Sequence, residues 1–124
     1  MSLLLDTHAL LWWLAGDPME PKASARIADP AVLVAVSAAS VWEVGIKAAL
    51  GKLRFDGSIA VEARRGGFES LAISFAHAEL AGGLPQHHRD PFDRMLIAQA
   101  QLEKLTIVTR DPEFAAYDVE VLAC

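Results

Sequence analysis

Four acidic residues follow predicted strands or fall in the first turns of predicted helices: Asp6, Glu43, Asp93 and Asp111. Carboxylates gathered in one place repel one another, and a hard divalent cation relieves that repulsion. Oxygen-only sites suit Mg²⁺ or Mn²⁺, which bind carboxylates and keep some of their waters. Such an ion with open positions can activate water and neutralise charge on phosphoryl oxygens. The acids therefore indicate metal-dependent phosphate chemistry, provided that the fold brings them together.

Two of these acids also have an alternative role as helix caps. Asp6 is in position to N-cap the helix that follows it, and Asp111 before Pro112 can cap a turn or a short helix. Position alone therefore does not separate capping from chemistry for either residue.

The same ambiguity affects the other two acids. The spacing from Ser40 to Glu43 fits an S-x-x-E capping box, with Lys47 four residues later as an ion-pair partner. Asp90 before a proline fits an N-cap, which puts Asp93 at the third helical position, where the helix dipole stabilises a carboxylate by about 0.3–1 kcal/mol. Only the recurrence of acids at strand ends favours a site.

The order of the elements predicts where these acids lie. Short apolar runs predict strands at Leu3–Leu5, Val32–Val36, Ser70–Ile73, Thr106–Thr109 and Val119–Leu122. Helical stretches are predicted at His8–Gly16, Pro21–Asp29, Ser40–Leu50, Ile59–Arg65, Phe75–Ala81 and Pro91–Lys104. This alternation predicts a single α/β domain over residues 1–124, with a mostly parallel sheet of four to five strands and helices on both faces. Ligand sites of such sheets lie beyond the carboxyl ends of the strands.

Composition limits the classes of function. The chain has 124 residues, of which 53% are hydrophobic, so it can bury one core. Its net charge of −5 is no footprint for a polyanion, so a nucleic-acid substrate requires a metal or a local basic patch. Cys124 is the single cysteine, which excludes an intramolecular disulfide, and the adjacent His87 and His88 lack zinc-ligand spacing and are predicted to be surface or loop residues. With no signal peptide and no apolar run near the ~20 residues of a membrane helix, we predict a cytoplasmic protein without a membrane role.

Four blocks of the sequence resemble the PIN domain, and specifically the VapC-type toxin ribonucleases of bacterial toxin–antitoxin pairs. The blocks are LLLDTHALLW, VSAASVWEVGIKAALGKL, HHRDPFDRMLIAQAQ and TIVTRDPEF, in the order and at the spacings of that family, and they cover essentially the whole chain. By matching position, the resemblance implies that Asp6, Glu43 and Asp93 are acidic metal ligands. Asp111 corresponds to a fourth acid, often placed in the outer part of the site.

The resemblance also bears on neighbouring residues. Thr7 and Thr109 match positions that often carry hydroxyl groups, which implies a supporting role. Asp90 matches no core catalytic position, in agreement with its reading as an N-cap. Candidate contacts to RNA phosphates are Lys47, Arg89, Arg94 and Arg110, since Lys and Arg supply most of the affinity for the backbone. The alternative is that these residues are solvated or paired with the same acids.

The activity implied by the resemblance is that of an endoribonuclease dependent on Mg²⁺ or Mn²⁺. A metal-activated water would hydrolyse an RNA phosphodiester to a 5′-phosphate and a 3′-hydroxyl. The implied partners are an RNA substrate, a cognate antitoxin that neutralises the enzyme, and a second toxin subunit within a larger toxin–antitoxin assembly. Trp12 and Trp13 point about 100° apart on a helix, so one of them is a candidate for an interface unless both are covered within the fold.

Three other readings remain open. One is a different metal-dependent phosphohydrolase, although the haloacid-dehalogenase type expects an aspartate where His8 stands. Another is a receiver-like phospho-acceptor domain, which expects an aspartate after a middle strand, whereas the second strand is followed by Ser37. The third is a non-catalytic interaction domain in which the acids serve only as caps.

Overall fold

The computed structural model describes residues 2–124. Its strands are β1 (Ser2–Leu5), β2 (Leu33–Ser37), β3 (Glu69–Leu71), β4 (Thr106–Thr109) and β5 (Val121–Ala123). Its helices are α1 (Thr7–Ala15), α2 (Pro21–Ala28), α3 (Ala38–Ala49), α4 (Ile59–Arg65), α5 (Phe75–Gly83) and α6 (Pro91–Glu103), with a 3₁₀ helix at Pro112–Ala116. Every predicted strand and helix is confirmed, with its ends displaced by no more than two residues. No helix within residues 2–124 is both long and apolar enough to cross a membrane.

The five strands form one sheet in the order β3-β2-β1-β4-β5, and all four neighbouring pairs are parallel. This confirms the predicted α/β class. The strand order reverses between β1 and β4, and in open parallel sheets such a switch point is where ligands bind. Receiver-type domains have the order 2-1-3-4-5, so the sheet topology argues against that alternative.

Both faces of the sheet are covered, as a continuously apolar strand requires. Leu3 and Leu5 point to the face covered by α1 to α4, where they belong to the same buried cluster as Ile27 and Val44. Leu4 points to the opposite face, in a cluster with residues of α5 and α6. The doubly buried strand β1 therefore holds its carboxyl end, and Asp6 after it, in a fixed position.

Helix caps set the orientation of α3 and α6 at this edge. The Asp90 carboxylate accepts hydrogen bonds from the backbone N–H groups of Phe92 and Asp93, which confirms it as the N-cap of α6. The predicted capping box in α3 is wrong, because Ser37 is the N-cap and the helix begins at Ala38. Glu43 therefore lies a full turn inside the helix, with no capping role.

The two adjacent tryptophans of α1 are both partly covered within the fold. They pack against the cluster under α1 to α4, and the Trp13 ring lies 6.4 Å from that of Phe68, measured between centroids. The indole that faces solvent is Trp42 on α3, which is 63% exposed.

Candidate functional site

Asp6 lies at the switch point between β1 and β4 and has two structural partners there. Its Oδ1 accepts from the backbone N–H of Ala9 at 2.7 Å, which is the N-cap of α1. Its Oδ2 accepts from the Thr109 hydroxyl at the end of β4, at 2.5 Å. Burial raises the pKa of Asp6, against these two hydrogen bonds, and the negative charge of Asp111 raises it further. One carboxylate thus caps a helix and also occupies the expected ligand position.

Glu43 is buried, with only 3% of its surface exposed, and each of its two carboxylate oxygens has a partner. The Thr7 hydroxyl donates to Glu43 Oε1 at 2.6 Å, and the Thr7 and Ser40 hydroxyl oxygens lie 3.0 Å apart. The Lys47 ammonium forms an ion pair with Oε2, and this hydrogen bond raises the pKa of Lys47. The i, i+4 ion pair expected from the sequence is confirmed. Lys47, a candidate for an RNA contact, is therefore already paired with a carboxylate of the protein.

Asp93 lies in the first turn of α6, where the charges of the other acids affect its pKa. Burial is the largest cause that raises its pKa to about 7, and the negative charge of Asp90 adds to the rise. The charges of Glu43 and Asp6 raise the pKa further, while His88 lowers it. The carboxylates at the end of β1, on α3 and on α6 are therefore near enough for their charges to influence one another.

His88 is a site residue that the sequence reasoning missed. It lies in the loop before α6, as predicted, but it is buried there, with only 8% of its surface exposed. Its Nε2 lies 2.9 Å from Asp93 Oδ2 and 3.2 Å from Asp111 Oδ2, and its Nδ1 lies 3.2 Å from Glu113 Oε2. One ligand atom each of His88, Asp111 and Glu113 all lie within 4.8 Å of one another. Helical His spacing could not reveal this group, because its members come from separate elements; the neighbouring His87 is exposed.

Arg94 is not available for the RNA contact predicted for it. The side chain is buried in the described structure, and the guanidinium donates to backbone carbonyls of the segment before α6: Ala81, Leu84, Pro85 and His88. A buried guanidinium whose two terminal nitrogens donate to four carbonyls of the chain's own backbone serves the loop rather than a ligand.

The other arginines predicted to contact RNA have solvent access. Arg89 is exposed in the same loop. The Arg110 guanidinium is exposed as well and lies 3.8 Å from the centre of the Trp12 ring, while it donates to the Pro18 carbonyl at 3.0 Å. Both positions therefore keep positive charge near the surface.

The donor set fits a hard divalent cation. Asp6 and Glu43 are buried carboxylates and Asp93 and Asp111 are partly buried ones, while the group of described residues whose possible ligand atoms lie within 4.8 Å of one another is His88, Asp111 and Glu113. Mg²⁺ and Mn²⁺ prefer oxygen donors, and Mn²⁺ also accepts nitrogen. A cation here would offset the repulsion that raises the Asp93 pKa, since buried negative charges are costly without a counter-charge.

The protein is thus of the α/β class, with an open, wholly parallel sheet and acidic residues at its switch point. A comparison with protein families makes the identification specific: the PIN-domain model matches residues 3–120, and the chain belongs to the PIN-domain family. The comparison with curated proteins gives no match.

Solved structures share the fold. VapBC2 from Rickettsia felis bound to a promoter DNA fragment matches with a TM-score of 0.75 at 15% identity, over 100% of this chain and 99% of that chain. DNA-bound VapBC from Salmonella typhimurium gives 0.70 at 19% identity, over 99% and 98%. A toxin–antitoxin complex from Klebsiella pneumoniae gives 0.67 at 23% identity, over 97% and 95%.

Proposed function

We propose that this chain is a divalent-metal-dependent endoribonuclease, the toxin of a toxin–antitoxin pair of the VapC type. The observation that carries the proposal is the electrostatic influence of Asp6 and Glu43 on the partly buried Asp93, three carboxylates that come from three elements beside the switch point. Membership of the PIN-domain family supports a nuclease over a different phosphohydrolase. Capping alone does not account for Glu43, because it caps no helix.

In this proposal Asp6, Glu43 and Asp93 hold Mg²⁺ or Mn²⁺, with Asp111 in the outer part of the site. When bound, the cation lowers the pKa of water and neutralises phosphoryl charge, which is the chemistry required to hydrolyse RNA to a 5′-phosphate and a 3′-hydroxyl. The chain's own residues keep the ligands oriented. Thr109 fixes one oxygen of Asp6, and Thr7 with Lys47 fixes both oxygens of Glu43.

Substrate binding rests on the cation and on surface arginines, because the net charge of −5 does not attract RNA. Arg89 and Arg110 remain the candidates for contacts to phosphates, since both are exposed. Each phosphate contact adds salt-dependent, sequence-independent affinity. RNA binding should therefore weaken with added salt and with substitution of either arginine.

The partner assignments are part of the same proposal. The similar folds include proteins described as VapBC and toxin–antitoxin complexes. We infer a cognate antitoxin that neutralises this chain in the cytoplasm, and a homodimer of the toxin within the assembly. The chain acts in it as one PIN domain over residues 1–124.

Cleavage of RNA by the purified full chain tests the activity. A panel of transfer, ribosomal and messenger RNAs is incubated with Mg²⁺, Mn²⁺ or EDTA, and the new 5′ ends are tested for a phosphate. We expect cleavage only with metal, and a loss of about 10³-fold in Asp6→Asn and Asp93→Asn, because metal stabilisation of the transition state amounts to several kcal/mol.

Two matched variants control for folding and for nearby charge. Asp90→Asn keeps an equally good N-cap one turn from Asp93, and Glu120→Gln removes an exposed acid elsewhere. Both are expected to retain activity. Folded wild-type protein that cleaves no RNA in either metal would refute the nuclease, and loss of activity in Asp90→Asn with full activity in Asp93→Asn would reverse the assignment.

Growth assays test the toxin role separately. Induced expression of the wild-type chain should arrest bacterial growth, and Asp93→Asn should not. Co-expression of a small protein encoded next to it should restore growth if that protein is the antitoxin. Active nuclease without growth arrest would remove the toxin assignment and leave the enzyme assignment in place.

A further inference from the structure

The imidazole of His88 bridges two carboxylates that come from different elements. Asp93 stands on α6, and Asp111 follows β4. Nε2 of His88 forms a hydrogen bond with Asp111 Oδ2 at 3.2 Å and lies in close contact with Asp93 Oδ2 at 2.9 Å. Two carboxylates in one site repel each other, and an imidazole placed between them separates them and supplies an N–H to one of the two.

Hydrogen bonds around the ring assign a proton to Nε2. The backbone N–H of Asp90 donates to His88 Nδ1 at 3.3 Å, so Nδ1 is the acceptor and Nε2 carries the proton of the neutral ring. A protonated Nε2 has no lone pair to offer to a metal.

Three buried side chains fix the backbone and the ring of His88. The Tyr117 hydroxyl accepts from the backbone N–H of His88 at 2.7 Å and donates to the Pro85 carbonyl at 2.7 Å. The Arg94 guanidinium donates to the His88 carbonyl at 3.3 Å and to three further carbonyls of the same segment. The Phe114 ring packs edge-on against the imidazole, with the centroids 5.8 Å apart. A loop side chain supported in this way has the precision that positioning requires.

We propose that His88 is a positioning residue of the active site, which holds the carboxylates of Asp93 and Asp111 at a fixed separation through its hydrogen bond to Asp111 and its close contact with Asp93, on a loop fastened by Arg94 and Tyr117. This inference rests on the proposed function, because the carboxylates that His88 orients are the proposed metal ligands. In this inference Arg94 and Tyr117 support the loop, and His88 connects Asp111 to Asp93.

Substitutions at His88 separate this role from a general structural one. His88→Leu keeps most of the volume without an N–H, whereas His88→Gln places an amide N–H at a similar reach. His87→Leu is the matched control at the exposed neighbouring histidine. The three variants and the wild type are compared by Mn²⁺ titration followed by electron paramagnetic resonance, by kcat and KM for RNA cleavage, and by thermal unfolding.

Loss of a group that orients metal ligands typically costs about 10- to 100-fold in affinity or activity. We expect the Mn²⁺ Kd of His88→Leu to rise by about that factor and kcat to fall with it, while KM for RNA stays unchanged. His88→Gln should recover most of both losses, and His87→Leu should behave as wild type. If His88→Leu does not fold, His88→Asn replaces it, because its amide ends short of the two carboxylates.

Four outcomes bear on the inference. Recovery by Gln together with loss in Leu or Asn supports it. Equal Mn²⁺ affinity in wild type and His88→Leu overturns it, and so does a ¹⁴N hyperfine coupling from His88 to bound Mn²⁺, which would make the imidazole a ligand. Lower melting temperatures without any change in Mn²⁺ affinity would reduce His88 to a structural residue.

The Mn²⁺ series also separates this inference from the nuclease proposal. If the wild type cleaves no RNA, the nuclease proposal fails, and Mn²⁺ affinity alone still decides the role of His88. If the wild type cleaves and its variants at His88 bind Mn²⁺ and cleave equally well, only the positioning role fails.

Discussion

The two edges of the sheet treat acidic residues in opposite ways. At the carboxyl edge, titratable groups from four elements and a loop crowd together, partly or fully buried: Asp6, Glu43, His88, Asp93 and Asp111. At the amino edge, acids of the connecting segments face water: Asp29, Asp118 and Glu120. A solvated carboxylate needs no support from the protein, whereas a buried one must be paired or hydrogen-bonded.

A threonine–glutamate pair at each edge makes the difference concrete. At the carboxyl edge Thr7 donates to buried Glu43 at 2.6 Å, and at the amino edge Thr106 donates to exposed Glu120 at 3.2 Å. The residue types are the same, and the surroundings differ. The same threonine–glutamate hydrogen bond therefore supports a buried charge at the carboxyl edge and is a minor surface interaction at the amino edge.

Of the changes considered, removal of the Arg94 side chain should lower the free energy of unfolding most. Arg94→Leu leaves the carbonyls of Ala81, Leu84 and His88 without the donor that now satisfies them. Since an unsatisfied buried group costs about 1–3 kcal/mol, the loss is expected to reach about 5 kcal/mol, close to the whole stability of a small domain. Urea unfolding measures it, with exposed Arg89→Leu as the control, expected within about 0.5 kcal/mol of wild type. An Arg94→Leu protein as stable as the control would contradict the role given to this guanidinium.

The pH dependence of stability should distinguish the edges next. Burial and neighbouring negative charges raise the pKa of folded Asp93 to about 7 from its ordinary 3.8, so between these values the folded state binds more protons than the unfolded state. The free energy of unfolding of the metal-free protein should therefore fall as the pH rises from 4 to above 7, by up to about 4 kcal/mol. Asp93→Asn should remove most of this decline, and Glu120→Gln should not change it. A decline that persists unchanged in Asp93→Asn would show that its source lies elsewhere.

Added metal should reverse that decline at the carboxyl edge only. A ligand at 100 times its Kd stabilises the folded state by about 2.7 kcal/mol, so Mn²⁺ should raise the melting temperature of the wild type. The rise should vanish in Asp6→Asn and persist in Glu120→Gln. Differential scanning calorimetry with and without EDTA provides the measurement, and equal shifts in both variants would exclude the proposed site as the origin.

The two threonine–glutamate pairs predict the smallest effect. Thr7→Val should cost about 2 kcal/mol, because it leaves a buried charged oxygen of Glu43 without its donor. Thr106→Val should cost less than about 0.5 kcal/mol, since water solvates Glu120 in its place. Chemical denaturation of the two variants in parallel measures the difference, and Thr7→Ser should behave as wild type. Equal costs at the two edges would remove the contrast between them.

Much of the fold was predictable from the sequence because its signals are local. A strand buried on both faces must be apolar throughout, as Leu3–Leu5 is. The start of α6 is indicated by an N-cap aspartate, Asp90, followed directly by Pro91. The acids at the strand ends were predictable for the same reason, since parallel strands bring their carboxyl ends to one edge.

The residues that the sequence misassigned all depend on distant partners. The capping box at Ser40 fits the local pattern, but the N-cap of α3 is Ser37 and the helix begins at Ala38; the Ser37 hydroxyl also donates to Gln99 of α6, far along the chain. Arg94 has the type and spacing of a surface cation on α6, and only the folded chain surrounds it with the carbonyls of the preceding loop.

The sequence by itself determined the elements, their parallel arrangement and the edge at which the acids collect. Tertiary structure alone decided that His88 is buried between Asp93 and Asp111, while the identical side chain of His87 faces water. The physical reason is that periodicity and capping are set by residues within a few positions of one another. The surroundings of a loop side chain are set by partners 5 to 23 positions away, which only the packed fold brings within hydrogen-bonding distance.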